Sequence, residues 1–189
     1  MNCADCKTKE CREGKDCTGE AAKIASRYTD QTLEVARTAA YIEATYYMQK
    51  NRLEELIEFA RMMEYRRLGI AFCIGLSSEA ERLQRILEKH FEVHSVCCKV
   101  CGIAKSKFGL KPVSGNPDET MCNPVGQAMV LNRIGTDLNI IVGLCMGHDI
   151  IFTRTSAAPV TTFVVKDRVL AHNPCGAIYS NYYLRRLSL

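Results

Sequence analysis

From about Glu20 to Lys50, apolar residues recur at helical spacing: Leu33, Ala36, Ala40, Ala44 and Tyr47, with Glu34, Arg37 and Glu43 on other faces. That period predicts an amphipathic helix. A second stripe, Leu53, Leu56, Ile57, Ala60 and Met63, predicts another helix from about Leu53 to Arg67. The period then changes. Gly69 to Leu76 is a short, nearly continuous apolar run, as expected for a strand buried on both faces. Ser78 and Glu81 are spaced for a capping box, opening a helix that runs through Leu83 and Leu87 to about Phe91. Glu92 to Lys99 reads as a second strand, and Gly102 to Glu119 as a loop rich in Lys, Gly and Pro. Asn123-Pro124 is a helix start, with Asn as N-cap and Pro at the first helical position. Leu138 to Cys145 is a third buried strand, His148-Asp149 opens a short helix, and Val160 to Val165 is a fourth strand. Asn173-Pro174 opens a last helix ending near Leu187.

Strands alternating with helices predict βαβ units. The expected fold is α/β: a mostly parallel sheet flanked by helices, three-layer and Rossmann-like, with an N-terminal cysteine knuckle and two preceding helices. The expected organisation is a knuckle over residues 1–18 and a single α/β domain over residues 19–189. The 189 residues, 47% hydrophobic and 24% charged, suit a globular chain with a full core. No apolar stretch approaches the roughly 18 residues of a membrane span. The N-terminal stretch is charged and has no apolar leader, so a cytoplasmic location with reduced thiols is expected.

Cysteine usage changes the picture most. Of 11 cysteines, four lie in the first seventeen residues, Cys3, Cys6, Cys11 and Cys17, spaced C-x2-C-x4-C-x5-C. That stretch is polar and turn-prone, so packing gives these thiols no role. In a reducing compartment such a cluster reads as a metal site. Its ion is either zinc or a [4Fe-4S] cluster: zinc commonly uses paired C-x2-C knuckles, only one of which is present, and cubane clusters also take four thiolates from irregular loops.

The remaining unusual residues collect at strand ends, where ligands bind in open parallel sheets. Cys97, Cys98 and Cys101 follow the second strand, Cys122 precedes the Asn123 cap, and Gly143 to Asp149 holds Cys145 and His148. Cys98, Cys101, Cys122 and Cys145 form a candidate second four-thiolate site, with His148 or Cys175 as substitute ligands. A [4Fe-4S] cluster is favoured there, with zinc as the alternative. Cys73, inside an apolar strand, reads as a core residue. Cys122 and Cys175 lie at helix starts, where the helix dipole favours a thiolate.

Charge adds less. The net charge is +4, and the clearest one-sided stretch, Val93 to Pro117, carries Lys99, Lys105, Lys107 and Lys111 without an acid. It reads as a solvated loop, or as compensation for a nearby anionic thiolate centre or ligand. There is no Trp and no aromatic–basic interleaving, so no nucleic-acid surface is indicated. The apolar helix faces suit burial against the sheet or against a second subunit of a homo-oligomer.

In the order CCKVCG, CNPVGQA, GLCMGHD, VVKDRV and HNPCGAIY, following the N-terminal cysteine motif, the chain resembles the prokaryotic domain-of-unknown-function family 1847 over nearly its whole length. The resemblance implies metal binding, placed on Cys3, Cys6, Cys11, Cys17, Cys98, Cys101, Cys122 and Cys145. It implies no reaction, substrate or partner.

Three functions fit these residues. The first is a metal-binding protein with two cysteine-rich sites and a redox, sensing or metal-handling role. The second is an enzyme acting on a small anionic ligand at the sheet edge, with His148, Asp149, Lys166 and His172 as catalytic candidates and Cys122 or Cys175 as nucleophile. The third is a zinc-stapled interaction module.

Overall fold

A computed structural model describes residues 1–188. The chain divides into two compact units, Met1–Tyr47 and Met48–Leu189. The first unit begins with turns around a 3-10 helix, Glu10–Glu13, followed by α1 (Ala21–Ala25) and α2 (Asp30–Tyr46). The helix expected over 20–50 is therefore interrupted. Thr29 adopts extended backbone (φ −76°, ψ 168°), and its side chain accepts from the Thr32 N–H, so it caps α2 instead of continuing α1.

The second unit opens with α3 (Arg52–Met62), held by a reciprocal capping box between Asn51 and Glu54. Then come β1 (Arg67–Phe72), α4 (Ser77–Leu87), β2 (Glu92–Cys97), α5 (Pro124–Ile134), β3 (Leu138–Val142), α6 (His148–Thr155), β4 (Val160–Val164), α7 (Cys175–Tyr179) and α8 (Asn181–Arg186). The apolar run after Gly69 is shared between two elements. β1 stops at Phe72, and Ile74–Leu76 forms a 3-10 turn that feeds directly into α4. The expected capping box of Ser78 and Glu81 does not form. Ser78 is already inside the helix, where its hydroxyl donates to Glu79 at 2.9 Å. The last predicted helix is likewise two, α7 and α8, separated by Ser180 in extended backbone.

The four strands form one parallel sheet in the order β2-β1-β3-β4. Alternate side chains leave its two faces. Leu68, Ile70, Leu138, Ile140 and Val142 pack with Leu56 and Ala60 of α3 and Ala80, Leu83 and Leu87 of α4. Ala71, Val96 and Ile141 pack on the other side with Ala128 and Leu131 of α5 and Phe152 of α6. This is the three-layer α/β arrangement. Each fully buried large side chain, Ile140 and Leu131 among them, contributes about 1.5–3 kcal/mol through removal from water.

The strand order has a functional consequence. From β1 the chain moves outward to β2, then returns across β1 to β3 and continues outward to β4. The direction of winding reverses between β1 and β3, and a crevice opens beyond their carboxyl ends at such a switch point.

Candidate functional site

Cys73 is the first residue after β1, at that switch point, and Cys98 is the first after β2. The parallel register pairs Phe72 with Cys97, so one further step sets Cys73 beside Cys98. The ladder continues that far: the Cys98 N–H donates to the Phe72 carbonyl at 2.9 Å, and the Cys73 N–H to the Val142 carbonyl at 3.1 Å. Cys122 reaches the same place from the other side. The Asn123 N–H donates to the Cys98 carbonyl at 2.7 Å, which draws the start of α5 onto the end of β2. Asn123 caps α5 by accepting from Gly126 N–H at 2.8 Å and donates through Nδ2 to the Val100 carbonyl. His148 opens α6 just beyond β3.

The result is an electrostatically coupled run of side chains, Cys73 to Cys98 to Cys122 to His148, in which each group shifts the proton affinity of the next. Cys73 and Cys98 are buried and Cys122 half-buried. The Ile74 N–H also donates to Cys98 Sγ at 3.3 Å. Three sulfurs this close cannot all ionise freely, because like charges repel and burial disfavours each one. The hydrogen bond from Cys98 holds Cys73 down to about 5, helped by the Gly75 N–H and the charge of Lys166. The same partner, followed by His148 and the charge of Lys99, holds Cys122 down to about 4. Contacts with those two thiolates push the Cys98 thiol far up, so it keeps its proton. The Cys122 contact raises His148. The interactions thus favour ionisation of Cys73 and Cys122 and the protonated forms of Cys98 and His148.

Two cations border it. An ideal Cβ on Gly75 would lie 3.4 Å from Lys166 Nζ, so the amine sits over the Ile74–Leu76 turn. Arg168 Nη2 donates to Cys145 Sγ at 2.8 Å, and that contact raises the arginine. Among the described residues neither cation has a carboxylate within ion-pair distance. Gly143 makes the close approach possible. It turns at φ +67°, and a Cβ there would stand 2.0 Å from Leu76 Cδ1.

Of the second predicted site, Cys98 and Cys122 come together, Cys145 faces Arg168, and Cys101 is exposed in a left-handed turn at φ 69°. Cys175 is exposed. Asp149 points its carboxylate at backbone, accepting from the Gly147 and Ile150 N–H groups at 2.9 and 2.8 Å. His172 Nδ1 accepts from the Asp167 N–H at 3.1 Å within the turn after β4. Two of the loop lysines are tied locally: Lys99 donates to the Thr120 carbonyl and Lys105 pairs with Glu119, each at 2.6 Å.

Sequence reasoning missed two residues here. Cys73 was read as core, because an apolar run hides which strand end it marks. Gln127, fully buried on α5, donates through Nε2 to the Phe72 carbonyl at 3.1 Å and the Val96 carbonyl at 2.7 Å. It clamps the ends of β1 and β2 beneath Cys73 and Cys98. Its Oε1 is buried without a partner among the described residues.

The N-terminal cysteines are held differently. All four are exposed. Cys6 N–H donates to the Cys3 carbonyl at 3.3 Å, and Gly14 N–H to the Cys11 carbonyl at 3.3 Å, which curls the segment into short turns. The Lys9 N–H, with Thr8, lowers Cys6. Asp16 anchors the end of the segment by accepting from the Thr18, Gly19 and Ala21 N–H groups, each at 2.9 Å. Among the described residues, no group of three or more His, Cys, Asp or Glu side chains stands in a position to hold a metal ion as the side chains lie. No described helix is long and apolar enough to cross a membrane.

Comparison with known proteins assigns the chain a family but no reaction. No solved structure matches the chain. A protein of Methanocaldococcus jannaschii described as uncharacterized is 60% identical over 189 residues, covering 99% of this chain and 98% of that protein. The model of the family described as "Protein of unknown function (DUF1847)" matches residues 11–163, and the chain belongs to that family.

Proposed function

We propose that the protein binds metal through two cysteine sites and serves a redox, sensing or metal-handling role. The site at the sheet edge uses Cys73, Cys98, Cys122 and His148. The observation that carries this reading is the run itself: three sulfurs and an imidazole from four separate segments, gathered at the switch point of the sheet and coupled to one another. Packing alone does not ask for three adjacent thiols there. Three thiolates and one imidazole are a soft donor set of the kind that holds zinc. Sulfurs about 2.3 Å from one zinc stand about 3.8 Å from each other, so these side chains would close around the ion to share it. In a cubane cluster each cysteine binds a different iron and the sulfurs stand further apart. The three-sulfur, one-imidazole donor set favours a single zinc ion over the [4Fe-4S] cluster expected for this edge from sequence. Bound zinc would supply a closed structural node, or a Lewis acid if His148 leaves it. The second site is Cys3, Cys6, Cys11 and Cys17, where zinc and [4Fe-4S] remain equal readings on spacing.

Elemental analysis of protein purified without oxygen tests this assignment. Cys73→Ser is expected to remove one ion per chain, whereas Cys101→Ser and Cys145→Ser keep it. Loss with Cys145→Ser and retention with Cys73→Ser would move the site to the residues expected from sequence.

A second reading, an enzyme for a small anionic ligand, is favoured by Lys166 and Arg168, two cations on this edge without carboxylate partners. Lys166→Met would then abolish binding of inorganic phosphate, followed by calorimetry, and leave the metal in place.

A further inference from the structure

We propose that Cys98 and Cys122 are a redox dithiol that reacts with small disulfides and closes to a Cys98–Cys122 disulfide. The inference deepens the metal-binding reading in one respect only: closure would withdraw two ligands and release the edge ion. The dithiol chemistry itself needs no metal.

The backbone sets the geometry. Cys98 is hydrogen-bonded on both sides, its N–H to the Phe72 carbonyl at 2.9 Å and its carbonyl to the Asn123 N–H at 2.7 Å. The bond from Asn123 ties the residue that follows Cys122 to the Cys98 carbonyl, which brings the two cysteine backbones toward the short span a disulfide bridges. The two thiols are also electrostatically coupled. Access separates the roles. Cys98 is 2% exposed and Cys73 7%, whereas Cys122 is half-buried and borders His148. An incoming disulfide reaches Cys122 first, and Cys98 is the thiol placed to resolve the adduct.

The step balances as thiol–disulfide exchange. Cys122 Sγ attacks one sulfur of R–S–S–R as the thiolate, its own proton lost to solvent, the sulfur–sulfur bond breaks, and the first leaving thiolate takes its proton from solvent. Cys98 Sγ then attacks the Cys122 sulfur, the mixed disulfide breaks, and the Cys98 proton goes to the second leaving thiolate. The two cysteines lose two electrons and two protons, and R–S–S–R becomes two RSH. Cys73 competes for Cys98 in principle, because it contacts the same sulfur. Its burial denies it the first, intermolecular step.

The test uses the full chain, purified reduced and without oxygen, exposed to oxidised glutathione. It is then acid-quenched, alkylated and mapped by peptide mass spectrometry, with circular dichroism confirming that every variant is folded. The expected product is a Cys98–Cys122 cross-linked peptide, with released zinc read by a chromogenic chelator. Cys98→Ser should trap a glutathione adduct on Cys122, and Cys122→Ser should leave Cys98 reduced. A Cys73–Cys98 cross-link, or Cys98 and Cys122 alkylated as in untreated protein, would overturn the proposal. A Cys98–Cys122 disulfide in protein that carries no zinc would support it while refuting the metal reading. Zinc without any such disulfide would do the reverse.

Discussion

The two cysteine groups of this protein are built by opposite means. Cys3, Cys6, Cys11 and Cys17 are neighbours in sequence, exposed, and held only by short backbone turns and the Asp16 carboxylate. Cys73, Cys98 and Cys122 are far apart in sequence and are gathered because the parallel sheet puts the ends of β1 and β2 side by side and the Asn123 N–H ties the start of α5 to Cys98. The first group is organised by local chain direction, and its thiols meet water on every side. The second inherits the rigidity of the core beneath it. A metal bound by the first would supply much of the order of its segment, as in small metal-stapled modules. A metal bound by the second would enter a scaffold that folds around apolar side chains.

Four measurements can break or sharpen this contrast. The largest effect concerns thiol access. In native protein treated with an excess of chelator, the four N-terminal cysteines should alkylate at least about a hundredfold faster than Cys73 and Cys98, because reaction at buried sites must wait for opening. Equal rates, read by mass mapping over time, would mean that the edge is not preformed.

Next is the dependence of the edge on the core. Ile140→Ala removes a fully buried side chain from the centre of the sheet and should cost about 2–5 kcal/mol in urea unfolding. It should also speed labelling of Cys73 and Cys98 and leave the N-terminal rates unchanged. A parallel change in both groups would show that they are not independently organised.

Gln127→Ala follows. It leaves the Phe72 and Val96 carbonyls without their shared donor and should cost about 1–3 kcal/mol. The expected mark of the clamp is faster labelling of Cys73 and Cys98 than in an equally destabilised variant remote from the edge. If the labelling rates of the two variants coincide, Gln127 has no special part in spacing the thiols.

The smallest effect is a pH dependence of the N-terminal segment. Hydrogen bonds from Ala21 and Thr18 hold the Asp16 carboxyl down at about 2, below its ordinary 3.8. A depressed carboxyl stabilises the folded turn above its unfolded value, and that contribution is lost as pH falls through about 2. Amide exchange of Thr18, Gly19 and Ala21 should therefore lose protection between about pH 4 and pH 2, while the second unit keeps its circular dichroism. Unchanged protection at pH 2 would remove Asp16 as the anchor.

Much of the fold was legible because its signals are local. The apolar run from Leu138 announces a buried strand, and Asn123-Pro124 announces a helix start whose cap the structure contains. The capping box at Ser78 was misleading because the 3-10 turn at Ile74–Leu76 leads straight into α4 and leaves no free helix start. Thr29 was overlooked as a cap because the apolar period runs on around it. At the edge, Cys98 and Cys122 stood out by ending a strand and preceding a cap. Cys73 did not, because an apolar neighbourhood gives the same reading to a packed thiol and to a thiol at a strand terminus. Gln127 carried no signal at all: glutamine is an ordinary helix former, and only the spacing of β1 and β2 gives its amide two carbonyls to join.

The most direct test of the account is a zinc and iron count on three anaerobically purified proteins: the native chain, Cys6→Ser and Cys98→Ser. The account predicts one zinc at the edge together with either one zinc or four irons at the N-terminal site, with each variant losing only the contents of its own site. The ion that survives in Cys6→Ser should be zinc, in a colourless protein. A native chain holding less than about one ion, or a Cys98→Ser variant that keeps the full complement, would contradict the edge centre outright.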